Sequence, residues 1–177
     1  MTLQSSGPIT LADIRAEFGG SAPDLLSEYY RGGAYVPSSQ TSIPASGEIK
    51  LSDFHGATNE TVITVTEGSF TGFLTTHGFA LANESTETGN TLFGSRSPTS
   101  FSGQIIQAAE LWSSSTFYFK LSGTLAKSFF TSLTPEGGSL LTSSSATHTQ
   151  SGGSTTWSWS SSPAGWDGSG TRTVIII

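Results

Sequence analysis

From residue 58 onward, short runs of β-branched and aromatic residues are cut repeatedly by glycine-centred turn signals, a pattern that restricts the fold to an all-β sandwich or barrel. The turn signals are Glu67-Gly68, Gly89-Asn90, Gly123, Gly137-Gly138, Gly152-Gly153 and Gly168 to Gly170. Between them lie "TVITVTE", "SFTGFLTT", "HGFALA", "TFYFKLSG" and "TTWSWSS". In "TFYFKLSG" the period of two puts Phe117, Phe119 and Leu121 on one face and Tyr118 and Lys120 on the other. In "TTWSWSS" the two tryptophans share a face. The pattern predicts an antiparallel β-sandwich of roughly eight to ten strands over 58–177, with "LAKSFFTSL" as a helical turn between two of them. The closing "RTVIII" is apolar on both faces, which suits the middle of a covered sheet or a subunit contact.

Composition narrows what such a fold can do. Only 11% of the 177 residues are charged, and the formal net charge is -6. Seven Lys plus Arg, scattered singly, form no stripe that could neutralise a phosphate backbone, so nucleic acid is not an expected partner. The chain has no cysteine, which removes disulfides, thiolate metal sites and thiol nucleophiles. Eleven Phe, four Trp and four Tyr supply large buried area and argue against disorder. No segment approaches the length of about 18 apolar residues needed to span a bilayer, and "MTLQSSGPIT" lacks the basic-then-apolar pattern of a secretion signal. The expectation is a soluble protein without membrane insertion.

The first 57 residues have another texture. "GPITLADIRAEFGG" returns in shortened form as "GEIKLSDFHGA", with Ile9, Leu11, Asp13 and Ile14 falling on Ile49, Leu51, Asp53 and Phe54. Thr10 with Asp13 three positions on makes a capping box, Leu11, Ile14 and Phe18 lie at helical spacing, and Gly19-Gly20 stops the helix. A second short helix is predicted from Ser21, with Pro23 in its first turn and Leu25, Leu26, Tyr29 and Tyr30 as its apolar stripe, ending at Gly32-Gly33. The repeat reads as two similar strand-to-helix corners packed together, with Ile9, Leu11, Ile49, Leu51 and Phe54 as core. So small a module buries little surface, so it is expected to pack on the remainder of the chain or dock on a partner.

Catalytic chemistry leaves little trace. His55, His77 and His148 stand singly, and there is no G-x-S-x-G elbow or phosphate-cradling loop. Asp13, Asp24 and Asp53 sit where carboxylates favour helix starts. An acid pair could be drawn from Glu60, Glu67, Glu84, Glu87, Glu110 and Glu136, but no spacing favours one pair. The sequons at Asn59 and Asn83 read as accidental. No catalytic residue, cofactor or metal is therefore expected. Of the four tryptophans, Trp157 and Trp159 read as core, while Trp112 and Trp166 are candidates for stacking on a sugar ring.

The phrases "PITLADIRAEFGG", "LSEYYRGGAYVP" and "IPASGEIKLSDFHGA" resemble an N-terminal module of structural proteins in tailed bacteriophages, where I-S-L-S-D-I, E-F-G-G, L-S-E-Y-Y-x-G-G, I-P-x-S-G and L-S-D-F-Y-G-A recur in that order. The likeness runs from about Gly7 to Ala57; Ala12 stands for the usual serine and His55 for the usual aromatic. The Ser/Thr/Gly-rich remainder is similar to β-rich repeats of tail and fibre proteins. The resemblance implies a virion component, made in the host cytoplasm, that binds other virion proteins and assembles as a homo-oligomer. Residues 1–57 would be the attachment module and 58–177 the displayed β-sandwich. Phe18, Leu25, Tyr29, Tyr30, Arg31 and Tyr35 are the docking candidates, because aromatic and Arg residues dominate interface energetics. Leu25 and Tyr29 fit the module's own core equally well. The other reading is a receptor- or glycan-binding module directed at a host surface glycan.

Overall fold

The computed structural model describes residues 3–37, 40–85 and 92–177. The chain divides into two compact units, Met1–Thr61 and Val62–Ile177.

In the first unit the capping box forms as its chemistry requires. The Asp13 carboxylate accepts from the Thr10 N–H at 2.8 Å, the Thr10 hydroxyl accepts from the Asp13 N–H, and helix α1 runs Leu11–Phe18. The Thr10 hydroxyl also donates to the Asp13 carboxylate at 2.7 Å, and this bond, with the one from the Thr10 N–H, holds the Asp13 carboxyl below its ordinary value. The second copy repeats the device in miniature: the Lys50 N–H donates to Asp53 at 2.8 Å, and a single 3₁₀ turn follows over Leu51–Phe54. The two copies share one core of Ile9, Ile14, Phe18, Tyr29, Val36, Ile43 and Phe54. Backbone bonds from Leu3 N–H to Ala57 and from Gly56 N–H to Gln4 bring the end of the second copy back to the chain preceding the first. Leu11 and Ile49 pack against the core from its margin, whereas Leu51 stands outside it, 39% exposed.

The predicted second helix is only a 3₁₀ turn, Leu26–Tyr29. Leu25 remains extended, and no side chain caps the turn; Asp24 instead pairs with Arg15 at 2.7 Å. With apolar Leu25 at the N-cap position and Asp24 held by Arg15, too little local hydrogen bonding is left to nucleate an α-helix.

The second unit is an antiparallel β-sandwich, so the chain is mainly β, preceded by the small N-terminal unit of short helices and turns. Its strands are β1 Thr61–Thr66, β2 Gly68–Thr71, β3 Thr75–Ala80, β4 Ser95–Ser97, β5 Ser100–Phe101, β6 Gln104–Trp112, β7 Thr116–Ser122, β8 Ser132–Pro135, β9 Leu141–Thr142, β10 Thr147–Ser151, β11 Ser154–Ser160 and β12 Thr171–Ile176. One sheet has the order β4-β1-β12-β8-β9; the other is β10-β11-β7-β6-β3-β2, with β5 beside the start of β6. The described residues thus hold twelve strands rather than eight to ten. The excess comes from β4, β5 and β9, which at two or three residues are too short to show alternation.

Ile63, Val65, Leu133, Leu141, Val174 and Ile176 of the first sheet face Phe79, Ile106, Leu111, Phe117, Phe119, Leu121, Trp157 and Trp159 of the second. "RTVIII" therefore lies in the middle of a sheet, between β1 and β8, with Val174 and Ile176 in the core. "LAKSFFTSL" forms no helix. Its backbone is drawn into tertiary bonds, Lys127 O accepting from the Trp157 indole at 2.9 Å and Thr131 N–H donating to Ile177 at 2.7 Å. Phe130 fills the core beside Trp157.

Glu67-Gly68, read from the sequence as a turn signal, is the corner at which the chain leaves the first sheet as β1 and enters the second as β2. The expected turn at Gly89-Asn90 and the candidate acid Glu87 lie outside the described residues.

Candidate functional site

The six docking candidates separate into two groups. Phe18 and Tyr29 belong to the core: Phe18 packs edge-on against Phe54 with centroids 6.1 Å apart, and the enclosed Tyr29 donates its hydroxyl to Gly19 O at 2.9 Å. Burial pushes the Tyr29 hydroxyl above its ordinary value. The remaining four reach the surface. Leu25 is 57% exposed, and Tyr30, Arg31 and Tyr35 are half-buried. Tyr30 donates to Gly47 O, and the Tyr35 ring lies 5.4 Å from that of Tyr29. The surface group is thus an apolar residue, two tyrosines and an arginine, two of them braced against the unit's own structure.

In the sandwich the two glycan candidates also part. Trp166 is 3% exposed, stands edge-on to Phe117 at 5.1 Å, and donates its indole N–H to Glu136 O at 3.1 Å. Its ring fills core space and has no face for a sugar. The turn-like setting "PAGWDGSG" suggested exposure, but the segment turns the Trp166 ring into the sandwich core. Trp112 lies on the outward face of the seven-stranded sheet, half-buried and edge-on to Tyr118 at 6.4 Å.

Register explains that pairing. Across β6 and β7, Glu110 is opposite Tyr118 and Trp112 opposite Thr116, so Trp112 and Tyr118 are diagonal neighbours on one face. Glu110 lies buried beside them, its carboxylate accepting from the Ser85 hydroxyl at 2.7 Å. Burial, and after it the Glu110 charge, raise the Tyr118 hydroxyl above its ordinary value. Lys120, next along β7, pairs with Glu84 at 2.7 Å. Tyr118 was missed as a site residue although the alternation of "TFYFKLSG" puts it opposite the core face. The signal lay in combining it with "LWSSS" as the other arm of a hairpin.

At the Glu67 corner a polar cluster forms. The Glu67 side chain is fully buried, and Arg172 stands 3.8 Å from both Glu67 and Glu136. Glu67 also accepts from the Gly168 N–H at 3.2 Å. Among the described residues, Glu67 Oε1, Arg172 Nε and His77 Nδ1 find no hydrogen-bond partner. Burial pushes the Glu67 carboxyl up, opposed by Arg172. A raised folded value gives stability that is full below the ordinary 4.5 and is lost as pH rises through the folded value. Glu67→Gln keeps an acceptor for Gly168 and removes the charge. Its stability relative to the parent is expected to improve as pH climbs from about 4.5 toward neutrality. Thermal melts at stepped pH would check this, and a difference that shrinks over that range would show attraction to Arg172 outweighing burial.

The other sequence candidates are dispersed. His55 Nε2 is 2.9 Å from Gly7 O, and His148 Nε2 is 3.1 Å from Leu125 O with its ring against Trp157. Glu60 belongs to the first unit, where its carbonyl accepts from Gln40. Among the described residues no group of three or more His, Cys, Asp or Glu is placed to hold a metal ion, and no helix is long and apolar enough to cross a membrane. Compared with protein-family models, curated proteins and solved structures, the chain finds no match in any of the three.

Proposed function

We propose that this chain is a non-enzymatic structural component of a tailed-phage virion, in the tail, neck, baseplate or a fibre. Its N-terminal unit docks on neighbouring virion proteins and its β-sandwich is displayed, several copies assembling together. One observation carries the reading: the phrases that resemble the phage module are the ones that build the first unit. "ITLAD" and "IKLSD" supply the paired caps, and "EFGG", "LSEYY" and "DF" supply Phe18, Tyr29 and Phe54 of its core. The likeness therefore lies in residues that determine a fold.

Docking falls to Leu25, Tyr30, Arg31 and Tyr35. The test is incorporation. Antibody against the sandwich should label particles, and the double variant Leu25→Glu, Arg31→Glu should lose incorporation while its sandwich still melts cooperatively. Unlabelled particles, or full incorporation of the variant, would overturn the reading.

A second reading, glycan binding by the sandwich, is favoured by the Trp112–Tyr118 pair on the outward sheet face. Half-exposed aromatic rings combine an apolar face for a pyranose with polar groups at their rims.

A further inference from the structure

We infer that the outward face of β6, β7, β11 and β10 is a binding platform for a neutral polysaccharide chain lying across the strands. This rests on the glycan reading and extends it to a substrate class and to further residues.

The strand registers set the platform. Tyr118 is opposite Ser158 on β11, and Ser158 is opposite Thr147 on β10; one row along, Lys120 is opposite Thr156, and Thr156 is opposite Thr149. The alternate residues of these strands, Phe117, Phe119, Trp157 and Trp159, are buried between the sheets, so the rows themselves stand on the outer side. Beginning at the Trp112–Tyr118 pair, the rows continue as short hydroxyl side chains to the edge strand. Three inter-strand steps of about 4.8 Å make a track of about 14 Å, longer than one sugar ring.

The chemistry selects a neutral, hydroxyl-bearing ligand. Each Ser or Thr hydroxyl both donates and accepts, matching the same capacity in a sugar hydroxyl. The outward side chains of β10 and β11 are all Ser or Thr and carry no charge. The one cation in the rows, Lys120, is neutralised by the Glu84 carboxylate at 2.7 Å, and Glu110, the β6 residue opposite Tyr118, is a buried carboxylate, so the face offers an anionic chain no unpaired positive charge. A protein partner fits less well. Short Ser and Thr side chains offer little area to desolvate, and both residue types are scarce among energetic hot spots.

The experiment is affinity electrophoresis of the full chain in native gels containing dextran, galactomannan or alginate. Retardation is expected in at least one neutral gel. In that gel Tyr118→Ala and Thr156→Glu should weaken apparent affinity at least about tenfold, a loss of roughly 1.4 kcal/mol. Thr64→Ala, on the opposite sheet, should match the parent, and near-UV circular dichroism would establish that each variant is folded. Retardation by alginate alone, lost in Tyr118→Ala, would overturn the neutral class while leaving glycan binding standing. Equal retardation of parent and folded variants would overturn the platform. Absence of retardation in every gel, with self-association relieved by Tyr118→Ala, would overturn both and make the face a protein interface. Particle labelling is independent of all these outcomes, so the virion reading stands or falls separately.

Discussion

Gly94→Ala is expected to prevent the sandwich from folding. Gly94 sits at φ +64, where a β-carbon already costs about 1 to 2 kcal/mol. The added atom would lie 2.3 Å from Gly78 O, 2.7 Å from Thr66 O and 3.1 Å from Gly68 N. All three are main-chain atoms, at the end of β1, the start of β2 and within β3, so no side chain can swing aside. Gly68 has the reciprocal constraint, since its own β-carbon would approach Gly94 N to 2.5 Å. These glycines allow three backbones to meet where the chain passes from one sheet to the other. Relief requires moving that corner, and the combined cost should exceed the 4 to 5 kcal/mol that marks exceptional single substitutions. Soluble yield and near-UV circular dichroism provide the readout. A variant that melts within a few degrees of the parent would show that the corner relaxes cheaply.

Trp157→Ala should cost about 3 to 5 kcal/mol in urea unfolding. Trp157 is completely enclosed, with its ring centroid 5.0 Å from Phe130 and 5.4 Å from His148. Its indole N–H is bonded to Lys127 O at 2.9 Å, so truncation opens a cavity and leaves that carbonyl without its donor. Trp157→Phe separates the two effects, because it restores most of the apolar volume but not the donor. It should fall between the parent and Trp157→Ala. Equal losses for both variants would place the whole effect in the hydrogen bond.

These two positions also mark where the sequence could and could not be read. Trp157 and Trp159 were legible because a period of two across "TTWSWSS" reports burial directly. The capping box at Thr10 and Asp13, and its echo at Asp53, were legible because a cap is satisfied within four residues. β6 was not legible. "QIIQAAELW" fails to alternate because the register shifts between Ile106 and Ala108, which turns Ala109 and Leu111 inward while Glu110 is buried on the other side. β3 loses its alternation for a related reason, since Ala80 on its outer side is covered by Phe93 and Ala108.

The candidate site divides in the same way. Trp112 was visible as an aromatic, but its pairing with Tyr118 depends on the β6–β7 register. Trp166 sits in a segment whose composition marks a turn, and nothing local reveals that the turn folds inward. Phe18 and Tyr29 carry the residue types of an interface and those of a core, and composition cannot separate the two.

By itself the sequence determined the mainly β class, the two textures before and after residue 57, the paired caps and the inward face of β7 and β11. Each depends on interactions within a few residues, through propensity, period or a local hydrogen bond. The tertiary structure alone decided the sheet order, the glycine corner at Gly68 and Gly94, the enclosure of Trp166, and the aromatic-and-hydroxyl face running from Trp112 to β10. Each of these depends on which distant strands meet and in what register, and a register set by packing across the whole sandwich leaves no mark on any single stretch of chain.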